Sequence, residues 1–476
     1  MSTRNVSRLT AVATLAAVLT VAGIADRGDR ATRPAREGVV ATQPSASPAD
    51  ALSSTWYCPS GTAAPGGPAD ATVVIFNPTD QVVSGAMYVV GLENVRGARV
   101  LTVPARDRVA VRVSDVARSP HASTLVQLDR GGAVVEQTIA GANGDSAGPC
   151  ATSASNTWYF AEGATTRSAG LVYSLFNPFP DDAIVDLSFI TDEGRSAPAA
   201  FQGVVVPAGS LIALDIGSHV RRREHISGIV RARRGRLVAG ALQTHAGDGR
   251  RGVSVTLGAT SPATAWTFAD GLAGPGFVEK LHLFNPGALE SRVAVDLVLD
   301  QGEAEPFDLR VPPMSRITLD LVAEPRVPKN VGHSLIVRAD NNQPIVAQRT
   351  IDFGSPGPRT GHMSDIGSPR PARHWALAAG GATEDLDEWV SVLNASPKPV
   401  RVTVRGGSGG TIDALPGLDG VVIPRGKRQA FRIAQHLVRA ELPLLIDADG
   451  DVFVERFLYR TTGVGVSGSA AVVRSP

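Results

Sequence analysis

Lysine is nearly missing from this chain: of 46 basic residues only Lys280, Lys329, Lys398 and Lys427 are lysines, and the rest are arginine. Acidic residues number 45, so the formal charge is +1 and no global field exists to draw nucleic acid. Aromatic residues make up 5% and charged residues 19%, while glycine (50) and proline (33) are plentiful. That balance suits many short strands joined by turns and disfavours long helices. Nine histidines show neither His-x-His nor His-Glu-x-x-His spacing, which predicts no metal site. No cofactor motif is present, and no cofactor is expected.

What is present is a repeat. Trp56, Trp158, Trp266 and Trp375 stand 102, 108 and 109 residues apart, and each opens a similar segment, as in Trp-Tyr-Phe-Ala-Glu-Gly at 158–163. A second marker keeps step: Ile-Phe-Asn-Pro ending at Pro78, Leu-Phe-Asn-Pro ending at Pro178 and Pro286, and a worn Val-Leu-Asn-Ala ending at Ala395. Its asparagines are Asn77, Asn177, Asn285 and Asn394. Two landmarks in register mean tandem copies of one unit. A third, Val-Pro at 103–104, 206–207 and 311–312 and Ile-Pro at 423–424, precedes a turn in each copy.

Within a copy the hydrophobic period is two. Repeat 2 predicts strands at 158–161, 171–176, 183–190, 201–206, 211–216, 226–232, 237–243 and 253–257. Eight strands in about a hundred residues is the density of an antiparallel sandwich. In the second strand, Val73, Tyr173, Leu281 and Val390, with Ile75, Leu175, Leu283 and Val392, are expected in the core; Val74, Ser174, His282 and Ser391 between them are expected to face outward. Helix is limited to single turns near 217–224 or 434–440. The fold class is therefore all-β: four Ig-like antiparallel β-sandwiches in tandem behind an N-terminal hydrophobic helix. Their bounds are 53–151, 152–260, 261–370 and 371–476, and short connectors suggest a rod. A four-bladed propeller is the competing architecture, but each unit is about twice a blade's length.

Arg4 and Arg8 precede an uncharged run from Leu9 to Ala25, so residues 1–25 read as a signal peptide or a signal anchor. Either places the rest outside the cytoplasm, anchored to the membrane or secreted to the wall. Residues 26–52, poor in large apolar side chains, are expected as a disordered linker. The register puts Cys58 in the first strand of repeat 1 and Cys150 in its last, which predicts a disulfide and an oxidising compartment.

The Trp-Tyr-Phe-Ala-Glu-Gly opening, the Leu-Phe-Asn-Pro strand end and Val-Pro-Ala-Gly-Ser at 206–210 resemble a repeat of exported bacterial proteins. The layout over 50–476 is similar to the actinobacterial family DUF5719, most clearly in repeats 2 and 3. That resemblance implies an envelope protein of unknown role and supplies no catalytic residues.

Candidate chemistry is sparse. Ser146, in Gly-Asp-Ser-Ala-Gly, and Ser408, in Gly-Gly-Ser-Gly-Gly, fit a nucleophile shape but lack a suitably placed base or a following helix. Glu162 and Asp270 share one offset from their tryptophans, and Glu279 and Glu388 another from their asparagines; a hydrolase would need such carboxylates paired. Arg221, Arg222, Arg223, Arg231, Arg233 and Arg234 form the densest charge cluster and are the candidate anion-binding residues. The four tryptophans read as core plugs before sugar platforms. The expectation is a non-catalytic envelope scaffold or binding protein, with an array of wall-polymer-binding modules as the alternative and a wall hydrolase third. Expected partners are wall polysaccharide, an envelope protein such as a glycosyltransferase, and the membrane through residues 9–25; no nucleic acid is expected.

Overall fold

A computed structural model describes residues 43–247 and 249–475. The hydrophobic segment 1–25 and most of the linker lie outside the described residues. Among those described, no helix is long and apolar enough to cross a membrane. The described residues are all-β, with open antiparallel sheets and four single 3-10 turns among them, two at 216–218 and 433–435.

Each repeat is a two-sheet sandwich. In repeat 2 one sheet holds Thr157–Phe160, Ile226–Arg234, Ala183–Thr191 and Gly194–Ser196, with Val204–Val206 on its edge. The other runs Ser210–Asp215, Ala169–Asn177, Val238–Gly247, Arg250–Leu257. Repeats 1 and 3 have the same order. In repeat 4 the strand Leu444–Arg460 runs unbroken through both layers and joins them into one nine-stranded sheet. The four tryptophans that open the repeats are core plugs, no more than 2% exposed. Trp158 and Trp266 donate their indole N–H to Leu237 and Ile345 carbonyls at 2.9 and 2.8 Å.

The asparagine marker and the Val-Pro or Ile-Pro marker of each repeat are bonded to each other. Asn177 Nδ2 donates to the carbonyls of Asp181, Val206 and Pro207, and its Oδ1 accepts from the Phe179 amide. Asn77, Asn285 and Asn394 repeat this pattern. Only a buried amide side chain offers both donors and an acceptor there. Repeat 4 keeps every bond with alanine in place of the proline, so the asparagine carries the turn.

The repeats form a closed ring, which corrects the expected rod. Their final strands are Gly144–Pro149, Arg250–Leu257, Gly361–Ile366 and Val466–Ala470, and each touches its two counterparts around an axis. Ser467 Oγ bridges the Ala147 amide and carbonyl at 2.7 and 2.8 Å. Ser146 Oγ accepts from the Val255 amide at 3.3 Å, and Thr256 Oγ1 donates to the Ser364 carbonyl at 2.9 Å. Glycine permits this approach: a Cβ on Gly252 would lie 2.2 Å from the His362 amide nitrogen. Closure also overturns the outward assignment of Val74, Ser174, His282 and Ser391, all at most 3% exposed. They do alternate with the core positions, but the preceding repeat covers their face.

The end of the linker is likewise ordered. Ala46 is buried and its amide donates to the Val473 carbonyl at 2.8 Å, while Gly132 donates to Ser47. Cys58 and Cys150 form a disulfide across repeat 1.

Candidate functional site at the repeat interfaces

Around the ring, the opening motif of one repeat lies against the inner-sheet face of the next. Backbone amides of that motif need acceptors, and at three interfaces the penultimate strand of the following repeat provides one. Gln348 Oε1 accepts from Ala161 and Glu162 at 2.9 and 3.0 Å. Glu455 accepts from Asp270 at 3.0 Å, and Glu136 from Ala378 and Ala379 at 2.8 and 2.7 Å. Strand register puts Gly240 at the fourth equivalent position, because Val74, Ser174, His282 and Ser391 pair with Glu136, Gly240, Gln348 and Glu455. There the preceding motif carries Pro59, which has no amide proton to donate.

A cation completes three of the interfaces. Arg108, Leu211, Arg316 and Arg428 occupy one register position. Arg316 pairs with Glu162 of repeat 2, and Arg428 with Asp270 and Asp300 of repeat 3 at 2.6 and 2.5 Å. Arg108 Nη1 reaches the Ala378 carbonyl of repeat 4 at 3.4 Å. Beside them, fully buried Arg349 contacts Glu279, Asp365 and Glu455, and Arg456 holds Glu136 through both terminal nitrogens at 3.0 and 3.3 Å. The repeat 1–2 interface instead packs Leu211 and Phe176 against Val90 and Tyr57.

The repeat 2–3 interface also gathers histidine. His225 precedes the strand Ile226–Arg234, His245 lies in Val238–Gly247, His282 in Phe277–Asn285 and His362 in Gly361–Ile366. They line one polar cavity with Glu162, Asp352 and Arg250. Its water-accessible space is about 30 Å³, room for an ion or a few waters and too little for a sugar ring. Glu162 Oε1 lies 2.9 Å from His225 Nδ1, and Oε2 lies 3.1 Å from His282 Nδ1. His282 Nε2 meets Thr350 Oγ1 at 2.9 Å, and His362 Nδ1 meets Asp352 Oδ1 at 2.7 Å. His245 and His362 rings are 4.4 Å apart. Burial, then the charge of His362, pushes the His245 imidazole down to about 3, with Arg250 adding to this and Asp352 opposing it. Burial, then Arg316 and His225, hold His282 well below the ordinary histidine range. The cavity thus sets two imidazoles that burial keeps neutral, His245 and His282, beside the carboxylates of Glu162 and Asp352. Spacing along the chain could not show this, since the imidazoles come from three strands and a loop of two repeats.

The predicted residues fare differently. Arg221–Arg223 and Arg231–Arg234 stand at opposite ends of one strand, some 25 Å apart at about 3.3 Å per residue, and so form two patches. Arg221, Arg222, Arg231, Arg233 and Arg234 are exposed; Arg223 pairs with Glu193 at 2.5 Å and Arg233 with Asp186. Ser146 is an axial strand residue, and Ser408 ends the strand Val400–Ser408 at a hairpin. Glu162 and Asp270 each serve the arginine of the next repeat. A groove of about 450 Å³ between repeats 1 and 2, lined by Tyr88, Arg96, Phe176 and Pro178, was not foreseen.

Among solved structures, the chain is similar to Thermotoga maritima 1070, at 23% identity over 23% of this chain and 95% of that one, with a TM-score of 0.21. It is similar to the Anabaena sensory rhodopsin transducer at 20% identity over 19% and 88% of the two chains, TM-score 0.17. A tetra-tandem repeat from the extending region of a large adhesion protein aligns at 12% identity over 85% and 95%, TM-score 0.11. Scores this low carry no argument about function. No curated protein matches the chain. The model of a family of unknown function, DUF5719, matches residues 129–415, well over half of the 476 residues and spanning the end of repeat 1 through much of repeat 4. The chain belongs to the DUF5719 family.

Proposed function

We infer that the protein is a non-catalytic scaffold of the cell envelope, working outside the cytoplasm as a rigid four-sided ring. The observation that carries this reading is how its buried charges are used. Glu162, Asp270, Glu136 and Glu455, the acids best placed for chemistry, each hold a neighbouring repeat through an arginine or a backbone amide. The Cys58–Cys150 disulfide supports an oxidising compartment. The partner would be wall polysaccharide or an envelope protein such as a glycosyltransferase.

A second reading, an array that binds wall polymer, is favoured by two surfaces. Arg231 and Arg234 are exposed and, among the described residues, have no ion-pair partner. The Tyr88–Arg96 groove has the volume and the aromatic-plus-cation lining of a saccharide site. Co-sedimentation of the chain with insoluble wall sacculi at low and high salt separates these readings. Salt-sensitive binding lost in an Arg231→Ser, Arg233→Ser, Arg234→Ser variant supports an anionic polymer. Salt-resistant binding lost in Tyr88→Ala supports a sugar groove. No sedimentation at either salt removes the wall reading and leaves a protein partner, to be sought by co-purification from membranes.

A further inference from the structure

We propose that Glu162, His225 and His282 form a binding site for a divalent transition metal of the zinc class, which ties repeat 2 to repeat 3. The inference goes beyond the scaffold reading and is independent of it. One ligand atom from each of the three residues lies within 4.8 Å of the others. In a tetrahedral zinc site, bonds of about 2.0–2.2 Å place neighbouring ligand atoms roughly 3.3 Å apart. Glu162 Oε1 and His225 Nδ1, at 2.9 Å, need open only slightly; His282 Nδ1 stands 3.1 Å from Oε2, the oxygen that Arg316 holds, so its ring must turn toward Oε1 to complete the set.

The surroundings suit such a site. Thr350 Oγ1 holds His282 Nε2, and Nδ1 faces Glu162 Oε2 with Thr318 Oγ1 at 3.1 Å and Arg316 Nη2 at 3.3 Å beside it, contacts that a metal at Nδ1 would replace. Arg316 sits on Glu162 Oε2 and Ser227 holds Arg316 Nε at 3.1 Å, the kind of outer partner that fixes a ligating carboxylate. With Arg316 kept there, Oε1 is the coordinating oxygen. A second observation points to a ligand in the same cavity. His362 is 4% exposed, its Nδ1 is fixed by Asp352, and its Nε2 has no partner among the described residues. A carboxylate holding one imidazole nitrogen while the other faces a polar void is the usual arrangement of a metal-ligating histidine. The cavity's 30 Å³ takes an ion with a water. Binding exchanges the proton shared by His225 Nδ1 and Glu162 Oε1 for the metal, and that proton leaves to solvent.

The experiment titrates the chelator-treated full chain with Co(II), read by its visible d–d absorption, followed by displacement with Zn(II). One equivalent of four-coordinate cobalt and a zinc-induced rise in melting temperature are expected. His225→Ala, a partly exposed position that the fold does not need, should abolish both, and His362→Ala should weaken binding about tenfold. His219→Ala, outside the cluster, should change neither. Absence of the four-coordinate spectrum in the wild-type chain overturns the proposal. So does cobalt binding that survives His225→Ala, since the ion then sits elsewhere.

Discussion

Glu388 is a buried acid with little support for its charge. Its Oε2 accepts the Gly381 amide at 2.9 Å, and its Oε1 has no partner among the described residues. Arg456, the cation beside it, is engaged by Glu136. Burial therefore pushes the carboxyl up to about 8, against the pull of Arg456 and the Gly381 amide. Glu279, its counterpart in repeat 3, is equally buried yet lies below its ordinary value. Burial would raise it, but His333, whose Nε2 stands 2.9 Å from Oε2, outweighs this together with Arg349 and the Leu272 amide. One position separates the two acids. The amides of His333 and Leu442 both donate to the motif glycine of their repeat, Gly271 and Gly380, so Leu442 stands where repeat 3 has histidine.

Folded Glu388 keeps its proton until about pH 8, whereas the unfolded chain releases it near the ordinary 4.5. Between those values the folded state binds the extra proton, so stability falls as pH rises. The shift of some 3.5 units, at 1.36 kcal/mol each, corresponds to a loss of about 5 kcal/mol, complete above pH 8 and absent below 4.5. Glu388→Gln should remove the effect: urea denaturation should show it close to wild type at pH 5 and more stable by several kcal/mol, of order ~4, at pH 8. Leu442→His, which copies repeat 3, should also flatten the dependence. Parallel wild-type and Glu388→Gln curves across this range would refute the reasoning, because the carboxylate would then be charged in the folded state.

Three further outcomes are expected. Asn177→Asp strands the carbonyls of Asp181, Val206 and Pro207 and should cost about 2–4 kcal/mol by denaturant titration, while Pro178→Ala stays within about 1 kcal/mol. Cys58→Ser with Cys150→Ser opens a 92-residue separation and should lower stability by about 4–5 kcal/mol, matched by reductant on the wild-type chain. Arg428→Met leaves Asp270 and Asp300 without their partner and should cost about 3 kcal/mol, the low end for a buried pair because Asp300 is half-exposed; a neutral result would mean water replaces the guanidinium.

The strands were legible because each obeys a local rule. Ala183–Thr191 and Arg250–Leu257 fall within a few residues of the alternating runs that predict them, and the turns carry Asn, Pro and Gly where a ladder must stop. The ring was not legible, and His282 shows why. Period-two alternation assigns a residue to one face or the other, but does not say whether water or another repeat lies beyond that face. A signal was nonetheless available. The penultimate strands carry Glu136-Gln137, Gln348-Arg349 and Glu455-Arg456 at the same register, polar pairs inside otherwise apolar runs. Polar side chains recurring in a central strand imply partners that the strand's own repeat does not supply. The arginine cluster misled for the opposite reason: neighbours in sequence are carried apart by an extended strand.

The four interfaces are one design with different chemistry, and the differences are matched in pairs. Where the opening motif offers amide protons, the next repeat supplies Gln348 or Glu136 to receive two of them and Glu455 to receive one. Where Pro59 removes a donor, the receiving position is Gly240, and a Cβ there would lie 2.4 Å from Ser60 Oγ and 2.8 Å from Pro59 Cγ. A glutamine at 240 would thus lose its bonding partner and collide with the motif, while a glycine at 348 would leave two buried amides unpaired, at about 1–3 kcal/mol each. Arg316 meets Glu162, but the same position faces repeat 1 as Leu211 and is packed by Phe176 and Tyr57. Repeat 2 therefore suits repeat 1 as its predecessor and penalises the others, and repeat 1 in turn is penalised ahead of the remaining repeats. Four copies of one sandwich could in principle close with a repeat of another chain in the wrong place. Mismatched buried charges make that closure costly, so the polar groups act less as a source of stability than as the device that selects this ring.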